Sequence, residues 1–388
     1  EAIFRDDRGL DQADAFVVRQ SDRAQGIMNN SILEFERLVL RFRKLWEEKR
    51  NTSRQVYFEH RVSEYREMWG AIAHHLGGAF HVLAEDIWEL DLGDQAIRIN
   101  NHQLELDNPV TLALAARKPL VHLLLKRQGI AVPDYIVFQR TDLTVAYHFL
   151  DRYPRGCVIK PADGYGGKGV TTHIQTRSEC RKAVILASLY SKDLLMEPQI
   201  PGESYRVLVI EGKVANIVRR KGLSLAGDGK KTVMDLMTSE NDQRREQRRE
   251  ALGNDRDSLF HLKHYGLSLE SIPENGFSFM IKSVDEASKQ TVENRTVYNE
   301  DVTDLVCDSI KYDAEMAAKV IRSDFLGVDV ITTDPSLALK ESGGVVNEVN
   351  TTPALHHHYD VSKEPYPLVA LTAVAALLRK QCVNAGSR

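Results

Sequence analysis

Apolar residues after Ser31 fall at Leu33, Phe35, Leu38, Val39, Leu40, Phe42, Leu45 and Trp46, close to the period of a helix, and predict a long amphipathic helix to about Arg50. Residues 1 to about 30 are polar and irregular. Similar spacing predicts a second helix from Ser63 to Leu76, closed by Gly77 and Gly78. Ala79 to Leu92 and Ala96 to Ile99 read as strands. The character changes at Asn108-Pro109. Thr111 to Gln128 has helical spacing, Gly129 to Pro133 leads into a strand from Tyr135 to Phe138, and a helix covers about Asp142 to Arg152.

Further on, Arg177 to Tyr190 predicts a helix and Leu194 to Glu197 a strand reaching Pro198. Tyr205 to Glu211 and Val214 to Arg219 predict an apolar hairpin turning at Glu211-Gly212. A loop with Gly227 and Gly229 precedes a helix starting near Thr232, and the charge run from Asn241 to Asp257 reads as a solvated helix face. Ala314 to Phe325 predicts a helix, Gly327 to Thr332 and Gly344 to Val349 two strands, and Leu368 to Arg379 a C-terminal helix. The elements give an α/β (α+β) chain with a front domain over 1–107 and a larger unit over 108–388.

Between these elements lies CVIKPADGYGGKGVTT, Cys157 to Thr172. Its short apolar run ends in Lys160 and turns at Pro161. Gly164, Tyr165, Gly166, Gly167, Lys168 and Gly169 follow, before a β-branched exit. Glycines without Cβ atoms let a backbone turn its N–H groups toward an anion, so this hairpin suits a phosphate cover. The letters also satisfy G-x-G-x-x-G, but a strand follows where a dinucleotide fold needs a helix, and no Lys-Ser/Thr Walker ending is present. A glycine-rich hairpin without a ligand is the plainer alternative.

Composition narrows the classes. Hydrophobic residues at 43% and charged ones at 27% over 388 residues fit a globular protein with a substantial core. A formal charge of −4 gives no net attraction for nucleic acid or anionic membrane. No apolar run approaches the ~18 residues of a membrane span, and EAIFRDDRGL has no signal-peptide pattern. Cys157, Cys180, Cys307 and Cys382 are scattered without C-x-x-C pairing, which suggests reduced thiols and a cytoplasmic setting.

Candidate chemistry gathers near the C-terminus. In a strand, residues i and i+2 share a face, so Glu348 and Asn350 can converge, with Asp329 beside them from the neighbouring strand. Two carboxylates and an amide oxygen are hard ligands suited to Mg²⁺. An ordinary buried salt-bridge cluster would use the same residues, because a lone buried carboxylate is costly. Lys160 supplies a point charge for phosphate, and Arg219, Arg220 and Lys221 form a basic run at a strand end, well placed to clamp a transferring phosphoryl group or a developing oxyanion.

In order and spacing these pieces resemble the ATP-grasp superfamily, in particular the ATP-grasp region of cyanophycin synthetases and glutathione-synthetase-like ligases. The residues that carry the resemblance are Lys118-Pro-Leu-Val-His-Leu-Leu-Leu with Gly129 to Pro133, Val158-Ile-Lys-Pro-Ala-Asp-Gly, Leu195 to Val209, Gly227-Asp-Gly, Asn241-Asp with Arg244-Arg245, Asp301 to Asp304, Gly327 to Val330 and Glu348-Val-Asn350. They cover about two thirds of the chain. The resemblance implies two lobes of mainly antiparallel sheet plus helices, behind a smaller N-terminal α/β domain. Within 108–388 it implies a central segment 108–155, a lid lobe 156–205 and a catalytic lobe 206–388.

It also implies ATP and Mg²⁺ as cofactors. Lys118 and Lys160 would be the nucleotide lysines, and Gly164 to Gly169 the loop over the phosphates. Glu197 and the backbone to Ile200 would face adenine, and Glu203 the ribose. Asp329, Glu348 and Asn350 would carry magnesium, Arg220 would face the γ-phosphate, and Arg206 would lie near the acyl substrate. The implied reaction is carboxylate–amine ligation of amino-acid or peptide substrates through an acyl phosphate, by a homo-oligomer. A nucleotide-binding regulator and a phosphotransferase that stops at the phosphorylated acid are the alternatives. Departures are Arg117-Lys118 where relatives have Asp-Lys, Asn350-Thr-Thr-Pro-Ala354 where they have Asn-Ala-x-Pro-Gly, and the run His356-His357-His358. Cyanophycin synthetases continue into a second ligase module, so this chain, ending at Arg388, is expected not to be that full enzyme.

Overall fold

The computed structural model describes residues 32–42, 53–164, 167–220, 222–246, 252, 256–282, 300–359 and 364–386. Tyr165, Gly166 and Lys221, the irregular N-terminal stretch, the end of the first predicted helix and part of the charge run lie outside them.

Helix α1 covers residues 32–42. Helix α2 (Ser53–His75) begins ten residues before Ser63, which lies inside it with its hydroxyl on Glu67 at 3.3 Å rather than capping. The stretch read as one strand to Leu92 folds back as β1 (Ala79–Val82) and β2 (Ile87–Asp91), followed by β3 (Ala96–Asn100) and β4 (Gln103–Leu104), in one antiparallel sheet. The turn between β1 and β2 contains no glycine or proline, so the sequence carried no breaker signal there.

The predicted helix from Thr111 is two helices, α3 (Pro109–Ala115), capped by the Asn108 side chain, and α4 (Lys118–Arg127). Pro119 explains the break, since a proline lacks an N–H and disfavours helical backbone in the residue before it.

The lid sheet contains β5 (Ile136–Gln139), β6 (Cys157–Pro161), β7 (Thr171–Ile174) and β8 (Asp193–Pro198) in the antiparallel order β5-β8-β6-β7. Helices α5 (Leu143–Arg152) and α6 (Arg177–Ala187) cover one face, where Cys157, Ile159, Leu194 and Met196 are buried. Alternation turns Lys160 and Glu197 to the other face.

The central sheet runs β13-β10-β9-β14-β15, built from β9 (Glu203–Ile210), β10 (Lys213–Arg220), β13 (Glu300–Asp301), β14 (Phe325–Thr332) and β15 (Val345–Thr351). Between β10 and β13 the chain inserts the hairpin β11 (Leu223–Ala226) and β12 (Ser278–Lys282) with helices α7 (Val233–Glu246) and α8 (Arg256–His264) around their own small core. Arg244, in the charge run, is buried here beside Glu240 at 3.5 Å rather than solvated. Helix α9 (Asp308–Ile321) starts six residues before Ala314 without a side-chain cap, and Arg322 at φ 59° ends it where a glycine would have announced the stop.

Tyr205, Val207, Val209, Leu326, Val328 and Val330 point to the α9 side of the central sheet. The opposite face is divided. Toward one end of β9 and β14, Leu208, Ile210 and Phe325 join a core with α2, β2, β3 and the C-terminal helix, which with the short α10 (Leu339–Ser342) completes the series as α11 (Leu368–Gly386). Toward the other end, the same face carries Arg206 and Asp329. Among the described residues no helix is long and apolar enough to cross a membrane.

Candidate functional site

Cross-strand partners in an antiparallel sheet point to one face. The register Asp301↔Val218, Val218↔Arg206, Arg206↔Asp329 and Asp329↔Glu348 therefore sets one row across all five strands of the central sheet. Asn350 pairs with Gly327 two positions along, on the same face, and its Nδ2 donates to Asp329 Oδ2 at 3.1 Å. The three residues expected to carry a metal are together.

Asp329 is 4% exposed and fully engaged. Arg206 donates from Nε to Oδ1 and from Nη2 to Oδ2 at 2.9 Å, and Arg220 Nη1 donates to Oδ2 at 2.8 Å. Both arginines are buried, and together they share this one carboxylate. Gly327 makes the arrangement possible, because a Cβ there would sit 2.9 Å from Arg206 Cδ and 3.1 Å from Pro353 Cβ.

Helix α4 bridges this face to the lid. Lys118 and His122, four residues apart, share one side of the helix. Lys118 Nζ pairs with Glu348 at 3.2 Å and donates to the Gly164 carbonyl of the glycine loop. His122 lies 3.5 Å from Glu197 Oε1 and bonds the Asn347 carbonyl at 3.0 Å, while Lys160 pairs with Glu197 Oε2 at 2.6 Å. Burial pushes the His122 imidazole down, with the Glu197 charge opposing it. Burial alone would raise the Glu348 carboxyl, but Lys118 and then Lys160 bring it below the ordinary value. His122 was not singled out in the sequence; its position one helical turn after Lys118 was the signal that could have found it.

Other expected residues are placed differently. Glu203 does not join the row. Alternation turns it with Tyr205 to the opposite face, where it accepts from Tyr205 Oη and from Arg219 Nη1, each at 3.1 Å, and Ser204, cross-strand partner of Arg220, lies on the face of Arg206. Arg219 is on that other face too, held by Glu300. Gly164, Gly167, Lys168 and Gly169 lie in the loop between β6 and β7. Ile200 follows β8, after Gln199, whose N–H already donates to the Gly156 carbonyl at 2.9 Å.

The histidine run forms a short 3₁₀ turn, Leu355–His358. Asp301 accepts from Asn216 Nδ2 at 2.8 Å, which orients that amide so that its oxygen accepts from His358 Nδ1 at 2.6 Å. Burial first, then Arg206 and His356, push the His358 imidazole down to about 3. A histidine whose folded value lies below its unfolded one favours the fold above the unfolded value and stops doing so as pH falls. Stability is therefore expected to fall as pH drops from about 6.5 toward 3, and urea unfolding of His358→Gln should show a flatter acid limb. An unchanged acid limb would refute this.

These residues fit a nucleotide and a divalent ion. Arg206 and Arg220 bring buried guanidiniums whose forked donors suit phosphate oxygens to this face, and Asp329, Glu348 and Asn350 offer the oxygen donors that magnesium takes.

No protein-family model matches the chain. Curated relatives include cyanophycin synthetase of Nostoc sp. PCC 7120, 31% identical over 252 residues, covering 63% of this chain and 27% of the relative. The glutathione biosynthesis bifunctional protein GshAB of Clostridium perfringens is 27% identical over 261 residues, covering 65% of this chain and 32% of the relative. The chain thus spans about a third or less of the length of these relatives. Among solved structures, a bifunctional glutathione synthetase from Pasteurella multocida superposes with a TM-score of 0.51 over 78% of this chain and 42% of its own, at 22% identity. The two-lobed architecture is that of the ATP-grasp fold, and the sequence similarity lies with cyanophycin synthetases and GshAB proteins.

Proposed function

We propose that this chain catalyses ATP-dependent ligation of a carboxylate to an amine, on amino-acid or peptide substrates. The observation that carries the reading is the row Arg206, Asp329, Glu348 facing the lid pair Lys160 and Glu197, with Lys118 reaching both sheets. No side-chain nucleophile is needed, since an amine attacks the carbonyl carbon of the acyl phosphate directly, forming the C–N bond as the C–O bond to phosphate breaks and phosphate leaves. Lys118, Lys160 and Arg220 neutralise phosphate charge, the loop from Gly164 to Gly169 covers it, and Arg206 orients the substrate carboxylate that attacks the γ-phosphate. Asp329, Glu348 and Asn350 hold magnesium, whose charge, when it is bound, steadies the phosphate oxygens. Glu197 is committed to Lys160 and His122, so the contact to adenine falls to the backbone approaching Ile200.

The free, buried thiols Cys157 and Cys180 fit a reducing, cytoplasmic setting. Exposed Phe35 and Phe42 on α1 support self-association.

The test is ADP release with Mg-ATP across amino acids and N-acylated amino acids, singly and in pairs, with product masses. The expected result is release that requires one acid and one amine, yields an amide, and drops 10²- to 10³-fold or about 2.7–4 kcal/mol in Glu348→Ala. Release that needs the acid alone would indicate a phosphotransferase. Nucleotide binding without turnover over a panel that includes dipeptides would indicate a regulator.

A further inference from the structure

We propose a second ligand site, at the end of the lid sheet, that takes a phosphoryl group carried by inorganic phosphate or by a small phosphate ester. Helix α1 lies on the lid there, held by Glu34 on Arg140 at 2.5 Å, by Glu36 on Arg181 at 2.9 Å, and by Arg37, whose Nε donates to the Ser188 carbonyl at 3.3 Å. Between α1, the turn from β5 to α5 and the loop from α6 to β8 is a cleft of about 280 Å³. Pockets for drug-sized ligands run from roughly 300 to 1,000 Å³, so this one suits a smaller molecule. Arg37, Arg140 and Lys192 line it, none of its lining residues is acidic, and none belongs to the nucleotide or metal set. Among the described residues Glu34 is the one carboxylate paired with these cations, on Arg140 and at 3.7 Å from Arg37, so three positive charges stand against one negative. The two arginine side chains are only 28% and 21% exposed, which separates them from solvated surface charges.

The donors fit that ligand. A guanidinium has five N–H donors, and Arg140 places one of them on Glu34. Ser191 Oγ accepts from the Asp193 N–H at 3.2 Å, which leaves its own proton to donate into the cleft. A phosphoryl group brings three acceptor oxygens and close to two negative charges, against two oxygens and one charge on a carboxylate, and its oxygens match the guanidinium fork. The wall of the cleft also supports the glycine loop at both ends. The Asp193 carbonyl accepts from the Ala162 N–H at 3.0 Å, where that loop leaves β6. Tyr190 packs on Gly169 near β7, so closely that a Cβ on Gly169 would lie 2.7 Å from Tyr190 Cδ2. An anion gripped by Ser191 and Lys192 therefore steadies the segment on which the glycine loop rests, and nucleotide held under that loop binds more tightly. This coupling rests on the nucleotide reading above, whereas the site itself does not.

Titration calorimetry on the full-length chain without nucleotide tests the site, with inorganic phosphate, glycerol 3-phosphate and citrate as probes. At least one phosphate is expected to bind more tightly than citrate, and the tighter of the two names the source. Lys192→Gln, at an exposed side chain, should weaken that phosphate tenfold or more, and Arg140→Gln at least as much, while Lys160→Gln should change it less than twofold. Lys192→Gln decides alone if Arg140→Gln, which releases Glu34, loosens α1. Binding that is lost in Lys160→Gln but kept in Lys192→Gln puts the anion at the nucleotide face and overturns the proposal. Citrate bound more tightly than both phosphates, or no binding of either phosphate at millimolar concentration, overturns it as well. A non-hydrolysable ATP analogue should bind about fivefold or more tightly with the phosphate present, and by linkage the phosphate gains the same factor. Equal analogue affinity with and without phosphate refutes the link to the glycine loop. If phosphate binds as expected and the analogue does not bind at all, the nucleotide reading fails while the site stands.

Discussion

Replacing Asp329 by alanine is expected to destabilise the fold by about 3–5 kcal/mol and to abolish ADP release. The cost follows from what remains. Arg206 and Arg220 are 5% and 4% exposed, and the substitution removes the carboxylate on which both guanidiniums converge. Breaking a buried ion pair from one side leaves an uncompensated charge, which is worse than never having built the pair. Asp329→Asn separates the two roles. It keeps the shape and one acceptor, so its unfolding free energy should lie between wild type and alanine, while ADP release falls as far as in Glu348→Ala. Urea denaturation with coupled ADP detection gives both numbers. An alanine variant within about 1 kcal/mol of wild type, the range of an exposed pair, would show that the arginines find other partners and that the row is not an electrostatic unit.

The second large effect is expected at Gly202, in the turn that joins the lid strand β8 to the catalytic strand β9. Its φ is 121°, and a Cβ there would lie 2.3 Å from the backbone C and O of Thr332, at the end of β14. Neither atom can yield like the end of a flexible side chain, since Thr332 is the register partner of Glu203. Gly202→Ala should therefore cost about 1–3 kcal/mol for the backbone region and about 1–3 kcal/mol for the overlap. Thermal unfolding reads the sum. Because the turn sets how β8 and Ile200 meet the central sheet, nucleotide affinity should fall with it. A variant that melts like wild type would mean that β9 and β14 can part locally without loss.

Much of this was open to reading from the sequence, and the exceptions have definite causes. Strand alternation was enough to join Glu348 with Asn350 and to set Asp329 beside them, because a period of two leaves no freedom once a strand is recognised. Glu203 came from the resemblance and not from alternation, and the strand, read from Tyr205, begins at Glu203, which puts that side chain on the face opposite Arg206. That Arg206 and Arg220 both close on Asp329 depends on register between strands more than a hundred residues apart, which no local pattern encodes. His122 was legible in principle, four residues after Lys118, but an apolar helix face hid it. The two-lobed antiparallel architecture agrees with what the resemblance implied, whereas the helix ends at Ala115 and Ile321 escaped because Pro119 and an arginine in left-handed backbone took the parts usually announced by caps and glycine.

The strands that carry Arg206 and Asp329 also carry Leu208, Ile210 and Phe325, buried on the same face against α2, β2 and β3. The central sheet is therefore not a portable cassette. A chain begun at Asn108 would lay bare the apolar half of its own working surface, and a graft of another front region would have to match Trp69, Trp88 and Ile99 side chain for side chain. A change on either side of this seam therefore has to be matched on the other to keep it packed, which ties residues 53–106 to the strands beneath them.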